Sequence, residues 1–500
     1  MTVISNVAPT LEEKLRDVAG GPPSSGALPY FEFVLAFLTV MHLFETYLDW
    51  RQYQNYKIKQ VPRELEGLVS STTFLKAQSY GLAKSRFGFV TSTFDFVESL
   101  LVLCWGGLPF VWRFSEGLMR EWFGVEAREY TISCSLLFLL LLQVYSTLVH
   151  LPFNLYGTFV LEEQFGFNKM TLKTFIIDMV KSFILTIVLG GPVAAGLLRL
   201  IEWGGPQFYL YCWLFSVVLT LVFLYIYPNI IAPLFNKFEN LEDGDALKDA
   251  ITKLTERIQF PLAKVFVVDG STRSAHSNAY FYGFWNNKRI VLYDTLLEQM
   301  KCEAEEASAT KATDSDSTPT TNTPNAEEQH QNSDKNGKSA RTYTPTQIKH
   351  IIAIVGHELG HYSLSHNIYN LIIVQLHTLW FFFLSSACIN NTDIYESFGF
   401  FETKPVLIGL VLFAFLYSPA EHLLGFLMNM LSRRFEFQAD EFAINLGLEL
   451  QTPLTKLHID NLGTMTPDPW FSTYHYSHPT LVERLKAMDK LSLQKHKKGD

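Results

Sequence analysis

The chain has 500 residues, 48% of them hydrophobic and 14% aromatic, with 40 Lys plus Arg against 49 Asp plus Glu and a net charge of −9. Apolar side chains on this scale, gathered in blocks of about twenty residues, exceed what a soluble core needs and point to a polytopic membrane protein. The acidic balance and scattered cations exclude the basic stripe of a nucleic-acid binder, and Cys104, Cys134, Cys212, Cys302 and Cys388 form no C-x-x-C pair, which excludes a disulfide frame or a thiolate metal site.

The N-terminal stretch is acidic and rich in Pro and Gly, with no basic-then-apolar leader, so the first span is expected to act as the insertion signal. Seven blocks are long and apolar enough to cross a bilayer: residues 30–50, 90–112, 131–154, 175–199, 208–232, 367–389 and 405–430. The interval 51–88 holds Arg51, Lys57, Lys59, Arg63, Lys76, Lys84 and Arg86, whereas 114–130 holds Arg120 and Arg128 alone. Lys and Arg favour the cytosolic side, which places the N-terminus in the lumen and, after an odd number of crossings, the C-terminus in the cytosol. Glu45, Asp49, Asp95, Glu98, Glu421 and His422 fall within or at the ends of these blocks; such groups line a wet cavity, pair between helices or snorkel to an interface.

After the fifth block the pattern changes. AKVFVVDG, residues 263–270, reads as a strand, and 277–294 as two strands joined near Asn286 and Asn287, a residue type that tolerates the left-handed geometry of a tight turn. Residues 301–341 are polar, rich in Thr, Ser and Glu and almost free of large apolar groups, so disorder is expected there. Thr344-Pro345-Thr346-Gln347 then supplies an N-cap hydroxyl, a proline for the first helical position and a glutamine to close a capping box.

The helix so started carries His357-Glu358-Leu359-Gly360-His361. Histidines four apart share a face, so both imidazoles reach one zinc ion at about 2.0–2.1 Å. Glu358 lies about 100 degrees further round, placed to take a proton from a metal-activated water. A third ligand has to come from elsewhere. Glu436 and Asp440, four apart in SRRFEFQADEFA, offer one carboxylate to the ion, assigned to Glu436, and a second, Asp440, to orient a ligand imidazole. Without the upstream motif the same segment reads as a solvated helix paired through Arg433 and Arg434. His475 and His478 are both candidates to donate a hydrogen bond to a developing oxyanion, and spacing does not separate them. His366 reads as a polar residue where the chain meets the membrane.

These segments, with LPFNLYGTFVLEEQFGFNKMT, YPNIIAPLFNKF, GSTRSAHSNAYFYGFWNNKRIVLYDTLL and WFSTYHYSHPTLVERL, resemble the type I CAAX prenyl proteases, integral-membrane zinc endopeptidases, over nearly the whole chain. The resemblance implies one zinc ion held by His357, His361 and Glu436, with Glu358 as catalytic base, Asp440 in support, His478 in its pair with Pro479 as the oxyanion donor, and Arg484 near the site. It implies an α-helical polytopic membrane fold of seven transmembrane helices around a large water-filled chamber, with a cytosol-facing, gluzincin-like protease domain carrying a small β-sheet. Substrate is expected along residues 276–283, with Asn278, Ala279 and Tyr280 as contacts, because an edge strand pairs with an extended peptide through main-chain bonds.

The expected organisation is a luminal extension over 1–29, transmembrane helices 1–5 over 30–232, the first part of the catalytic domain over 233–366, helices 6 and 7 over 367–430, and the second part with a cytosolic tail over 431–500. The activity implied by the resemblance is removal of the C-terminal three residues of farnesylated or geranylgeranylated CAAX proteins in the endoplasmic reticulum membrane and nuclear envelope, with a further upstream cut in a farnesylated lamin precursor for an animal enzyme. A broad quality-control metalloprotease acting on misfolded or translocon-stalled chains fits the same chemistry. A transporter that keeps the zinc site for structure alone is a third reading, against which Glu358 is not needed to hold metal. Lys497-Lys498-Gly499-Asp500 has the form of a dilysine retrieval signal, and Asn390-Asn391-Thr392 that of a glycosylation acceptor. The insert 301–341 departs from the family pattern by its length.

Overall fold

The computed structural model describes residues 28–124, 130–284, 287–299 and 343–499; the insert 301–341, most of the N-terminal extension and Asn286 lie outside that set. Its first half is helical: α1 (Tyr30–Asn55), α2 (Ser71–Cys104), α3 (Gly107–Phe123), α4 (Thr131–Tyr156), α5 (Leu172–Leu185), α6 (Gly191–Gly204) and α7 (Phe208–Ile226). Among the described residues, six stretches are long and apolar enough to cross a membrane: Tyr30–Asn55, Ser71–Cys104, Thr131–Phe165, Leu172–Phe235, His366–Cys388 and Val406–Asn445. The fourth of these has 64 residues, and as one straight helix it would span about 96 Å, roughly three times a bilayer core. It instead doubles back at Gly204–Gln207, where Gly205 takes a φ of +54°, and α6 packs on α7. The expected blocks 175–199 and 208–232 are the two arms of this hairpin, so six stretches rather than seven meet the length-and-apolarity criterion.

The expected second block, 90–112, is corrected. It straddles a break at Gly106, whose φ is +64°, between α2 and the amphipathic α3, which buries Leu108, Trp112, Ser115 and Met119. Hydropathy averaged across the break because both flanks are apolar. The crossing helix is α2, which starts at its Ser70 cap, where Oγ accepts from Thr73 N at 3.1 Å. Lys76, Lys84 and Arg86 therefore ride on α2, and only Lys57, Lys59 and Arg63 remain in the connection 56–70.

Beyond α7 lies a small α/β layer: β1 (Phe238–Asn240), α8 (Ala246–Arg257), β2 (Leu262–Val268), β3 (Ala279–Phe284) and β4 (Asn287–Tyr293). The sheet order is β1-β2-β4-β3, with β2 parallel to β4 and the other two pairs antiparallel. β3 is thus an outer edge strand. The three expected strands are present, whereas β1, three residues long, is too short to show an alternating pattern. Val265, Val267, Ile290 and Leu292 of the sheet form one core with Leu247 and Ile251 of α8 and with Ile351, Val355 and Leu359 of α9 (Pro345–Ser363).

α9 opens with the expected capping box, Gln347 N donating to Thr344 Oγ1 at 3.3 Å and Thr344 N to Gln347 Oε1 at 2.8 Å. It does not continue into the next span. Ser365, at φ +59°, separates it from α10 (His366–Cys388). After α11 (Thr392–Ser397), α12 (Val406–Asn445) runs 40 residues, about 60 Å, through the span and on past it. The expected boundary near residue 430 falls inside one continuous helix. Then come α13 (Gln451–Asp460), α14 (Pro469–His475) and α15 (Leu481–Gly499). The ionisable groups of the spans pair between helices while staying part-exposed: Asp95 with His150 at 3.3 Å, Glu421 with His377 at 3.2 Å, and Glu45 with His422 at 3.8 Å.

Candidate metal centre and active site

The centre forms where α9 lies against the distal half of α12. A Cβ placed on Gly360 would sit 3.0 Å from Ala439 Cα and 3.1 Å from Ala439 O, so glycine at this point is what lets the two helix backbones meet. The contact brings His357 and His361 over Glu436. His357 Nε2 and His361 Nε2 are 3.3 Å apart, His357 Nε2 and Glu436 Oε2 3.4 Å, and His361 Nε2 and Glu436 Oε1 3.2 Å. Ligand atoms around a tetrahedral ion at about 2.0–2.1 Å lie about 3.3–3.4 Å from one another; the two imidazole nitrogens meet that spacing and each faces a different oxygen of Glu436, so the three side chains converge on one ion-sized position.

Two further observations fit a divalent cation here. Glu436 Oε2 is buried with no hydrogen bond, a costly arrangement unless a metal takes the lone pair. Three carboxylates, Glu358, Glu436 and Asp440, surround the single buried guanidinium of Arg484, and a doubly charged ion balances that excess. Among the described residues, Asp95, Glu98 and His150 form a second His and carboxylate group, with Asp95 exposed and the other two half-buried.

His357 Nδ1 lies 2.9 Å from Asp440 Oδ1 and 3.2 Å from Arg484 Nη2. If His357 ligates a metal through Nε2, Nδ1 carries the proton and donates to Asp440, as ligand imidazoles do. Arg484 Nε donates to the same carboxylate at 2.9 Å, and Nη1 stands 3.7 Å from Glu436 Oε2. Arg484 thereby fixes Asp440, and through it the ring of His357. Glu358 makes no hydrogen bond or ion pair among the described residues; burial raises its carboxyl above the usual carboxylate range, against the pull of His357 and His361. A glutamate left unbonded and eager for a proton suits a general base.

The two candidate oxyanion histidines are separated by geometry. His478 Nδ1 reaches Glu436 Oε1 at 2.9 Å and remains exposed at the mouth of the centre, and that hydrogen bond raises its affinity for a proton. His475 packs on Phe471 and Tyr474, with Nε2 buried and unbonded.

His366 has a part that its position in the sequence does not show. Its ring is buried and stacks on Phe435 at 4.1 Å; Nδ1 meets His361 Nδ1 at 3.0 Å and Nε2 meets Gln438 Oε1 at 3.1 Å. If His361 ligates through Nε2, its Nδ1 proton is donated to His366 Nδ1, and His366 Nε2 then donates to Gln438. Each ligand imidazole so has its own orienting partner. The five-residue spacing from His361 to His366 crosses the Ser365 break, and a helical wheel misses it.

β3 packs beside α9 at the edge of the sheet. Tyr293 N donates to Asn278 O at 3.1 Å, so Asn278, Tyr280 and Tyr282 turn their main-chain groups inward to β4. Ala279, Phe281 and Gly283 turn theirs outward. Of the expected contacts, Ala279 turns its main chain outward, where its N donates to Asn278 Oδ1 at 2.8 Å, while Asn278 is exposed and Tyr280 half-buried.

Two histidines and a carboxylate converging on one position, with a free glutamate beside them, in a chain rich in long apolar helices, place the chain in the class of integral-membrane metallopeptidases. Family comparison agrees. The model described as "CAAX prenyl protease N-terminal, five membrane helices" matches residues 52–237, and "Peptidase family M48" matches residues 242–492. The chain is 44% identical to "CAAX prenyl protease 1 homolog" of Homo sapiens, over 92% of this chain and 95% of that protein. It is 43% identical to the homologue of Oryza sativa, over 93% and 98%. Its fold is similar to the crystal structure of S. mikatae Ste24p, with a TM-score of 0.78 and 36% identity over 92% of this chain and 99% of that one. The chain belongs to peptidase family M48.

Proposed function

We propose that this protein is the zinc endopeptidase that removes the C-terminal three residues of farnesylated or geranylgeranylated CAAX proteins at the endoplasmic reticulum membrane, with its catalytic side toward the cytosol. The observation that carries the reading is the convergence of His357, His361 and Glu436, with the two Nε2 atoms 3.3 Å apart and each within 3.4 Å of a Glu436 oxygen, and Glu358 unbonded beside them; the names borne by the relatives supply the substrate class.

When bound, the ion polarises the peptide carbonyl and acidifies a water. Glu358 takes the proton of the attacking water and delivers it to the leaving nitrogen. His478, exposed and hydrogen-bonded at the rim, donates to the oxygen on which charge develops. Asp440 and His366 hold the two ligand rings, and the outward main chain of β3 aligns the peptide.

The test is to assay wild type and Glu358→Ala in detergent on a farnesylated CAAX peptide and its unfarnesylated twin, with zinc counted per chain. About one zinc in both proteins, with prenyl-dependent cleavage in the wild type alone, is the expected result. Equal cleavage of both peptides replaces the reading with broad quality control, and zinc without cleavage of either replaces it with a structural site.

A further inference from the structure

The outward edge of β3 is closed at one end. Residues 277, 279, 281 and 283 share the outward parity of the strand; the first is already paired, and Ala279 N donates to the side chain of its neighbour Asn278 at 2.8 Å, a contact an added strand would replace. Asn461 Oδ1 accepts from Ser277 N at 3.0 Å and its Nδ2 donates to Ser277 O at 3.2 Å, so one side-chain amide fills the place of a peptide unit in an added strand. The same Oδ1 lies 3.1 Å from His276 Nδ1. Asn461 is held there by an unusual turn: it caps α13, and Leu462 after it takes a left-handed φ of +47°. Strain of that kind, about 1 kcal/mol or more for a non-glycine residue, persists where surroundings enforce it.

Beyond Asn461 opens a cavity of about 540 Å³, within the usual range of small-ligand sites, about 300–1,000 Å³. Tyr80, Lys84, Ser85, His276 and Tyr476 line it with Asn461; Lys84 is its one Lys or Arg and Asp49 its one carboxylate. Lys84 lies over the Tyr80 ring at 5.1 Å and makes no ion pair among the described residues. Its charge acts on the carboxylate of Glu162, which Tyr80 OH reaches at 2.8 Å behind the cavity wall, and among the described residues no carboxylate holds it in contact.

We propose that Asn461 terminates the peptide-binding edge and that the cavity behind it receives the C-terminal carboxylate of the substrate, with Lys84 as the counter-charge. The proposal rests on the CAAX reading above. An extended chain advances about 3.4 Å per residue, so a peptide paired with Ala279 runs out of edge about 7 Å, two residues, further on. With the scissile bond opposite Ala279, a three-residue tail places its last residue in the cavity, and a longer tail has to leave the strand there. The chemistry recognised is a free main-chain carboxylate, separate from the prenyl group.

The experiment compares three farnesylated peptides, one ending in the free acid, one in the amide and one extended by two residues, on the full chain in detergent. The expected result is a kcat/KM about tenfold higher for the acid than for the amide in the wild type. In Lys84→Met the acid-to-amide ratio falls to near one, while Lys84→Arg keeps it. Asn461→Ala raises the extended peptide relative to the acid. The ratio is internal to each preparation, so partial misfolding does not imitate the effect. Equal rates on acid and amide in the wild type, or an unchanged ratio in Lys84→Met, overturn this proposal and leave the CAAX reading standing. Cleavage of none of the three by the wild type overturns both.

Discussion

Replacing Gly360 with alanine tests whether close approach of α9 and α12 sets the metal geometry. The added Cβ would lie 3.0 Å from Ala439 Cα, 3.1 Å from its O and 3.3 Å from its Cβ, two of the three being backbone atoms that do not swing aside. Ordinary carbon contacts are about 3.5–4.0 Å, so relief requires the helices to part by roughly half an ångström. His361 follows Gly360 directly and Glu436 lies one turn before Ala439, so most of that movement appears in the 3.2 Å edge between His361 and Glu436. Metal sites tolerate about 0.2 Å. Overpacking costs about 1–3 kcal/mol, but alanine regains about 1 kcal/mol of helix propensity over glycine. The net effect on folding is therefore about 0–2 kcal/mol, while zinc affinity falls about 10–100-fold, as when a ligand loses its support. Chelator competition on purified protein measures the affinity, and thermal unfolding of the zinc-free protein measures the fold. Zinc affinity within twofold of wild type in Gly360→Ala refutes the argument that this contact sets the triangle.

The relay at His366 separates two kinds of support. His366→Phe keeps the stack on Phe435 but loses the acceptor for His361, and a 10–100-fold loss of zinc affinity is expected; His366→Asn, which keeps an acceptor, is expected to recover much of it by the same chelator titration. His458 is half-buried, and its lost hydration lowers its pKa from an ordinary 6.5 to about 4 while Thr464 O bonds it at 3.0 Å. A depressed value means stability present above pH 6.5 and lost as the solution is acidified toward pH 4, with a ceiling of about 3 kcal/mol at about 1.4 kcal/mol per pH unit. Thermal midpoints between pH 7.5 and 5 are expected to fall less in His458→Gln than in wild type, and parallel slopes sink the assignment.

Much of the centre was legible in the sequence because it rests on short-range periodicity. Four-residue spacing put His357 and His361 on one face, Thr344 and Gln347 announced the start of their helix, and Glu436 and Asp440 stood out as paired acids after an apolar block. The spans were legible for the same reason, except where apolar residues flank a backbone break. At Gly106 the composition is continuous and the helix is not, and past residue 430 the composition changes while α12 continues to Asn445.

The sequence by itself determined that this chain crosses membranes, that it carries a His, Glu, His helix with a carboxylate segment to complete a metal set, and that a strand precedes it. Tertiary structure alone decided that His366 orients His361 and that Asn461 closes the edge of β3; between His475 and His478 spacing was silent, the family resemblance implied His478, and the contact with Glu436 agrees. Those relations join residues far apart in the chain through single contacts of about 3 Å, and such contacts depend on how closely helices approach, as Gly360 approaches Ala439. Local periodicity carries no record of that distance.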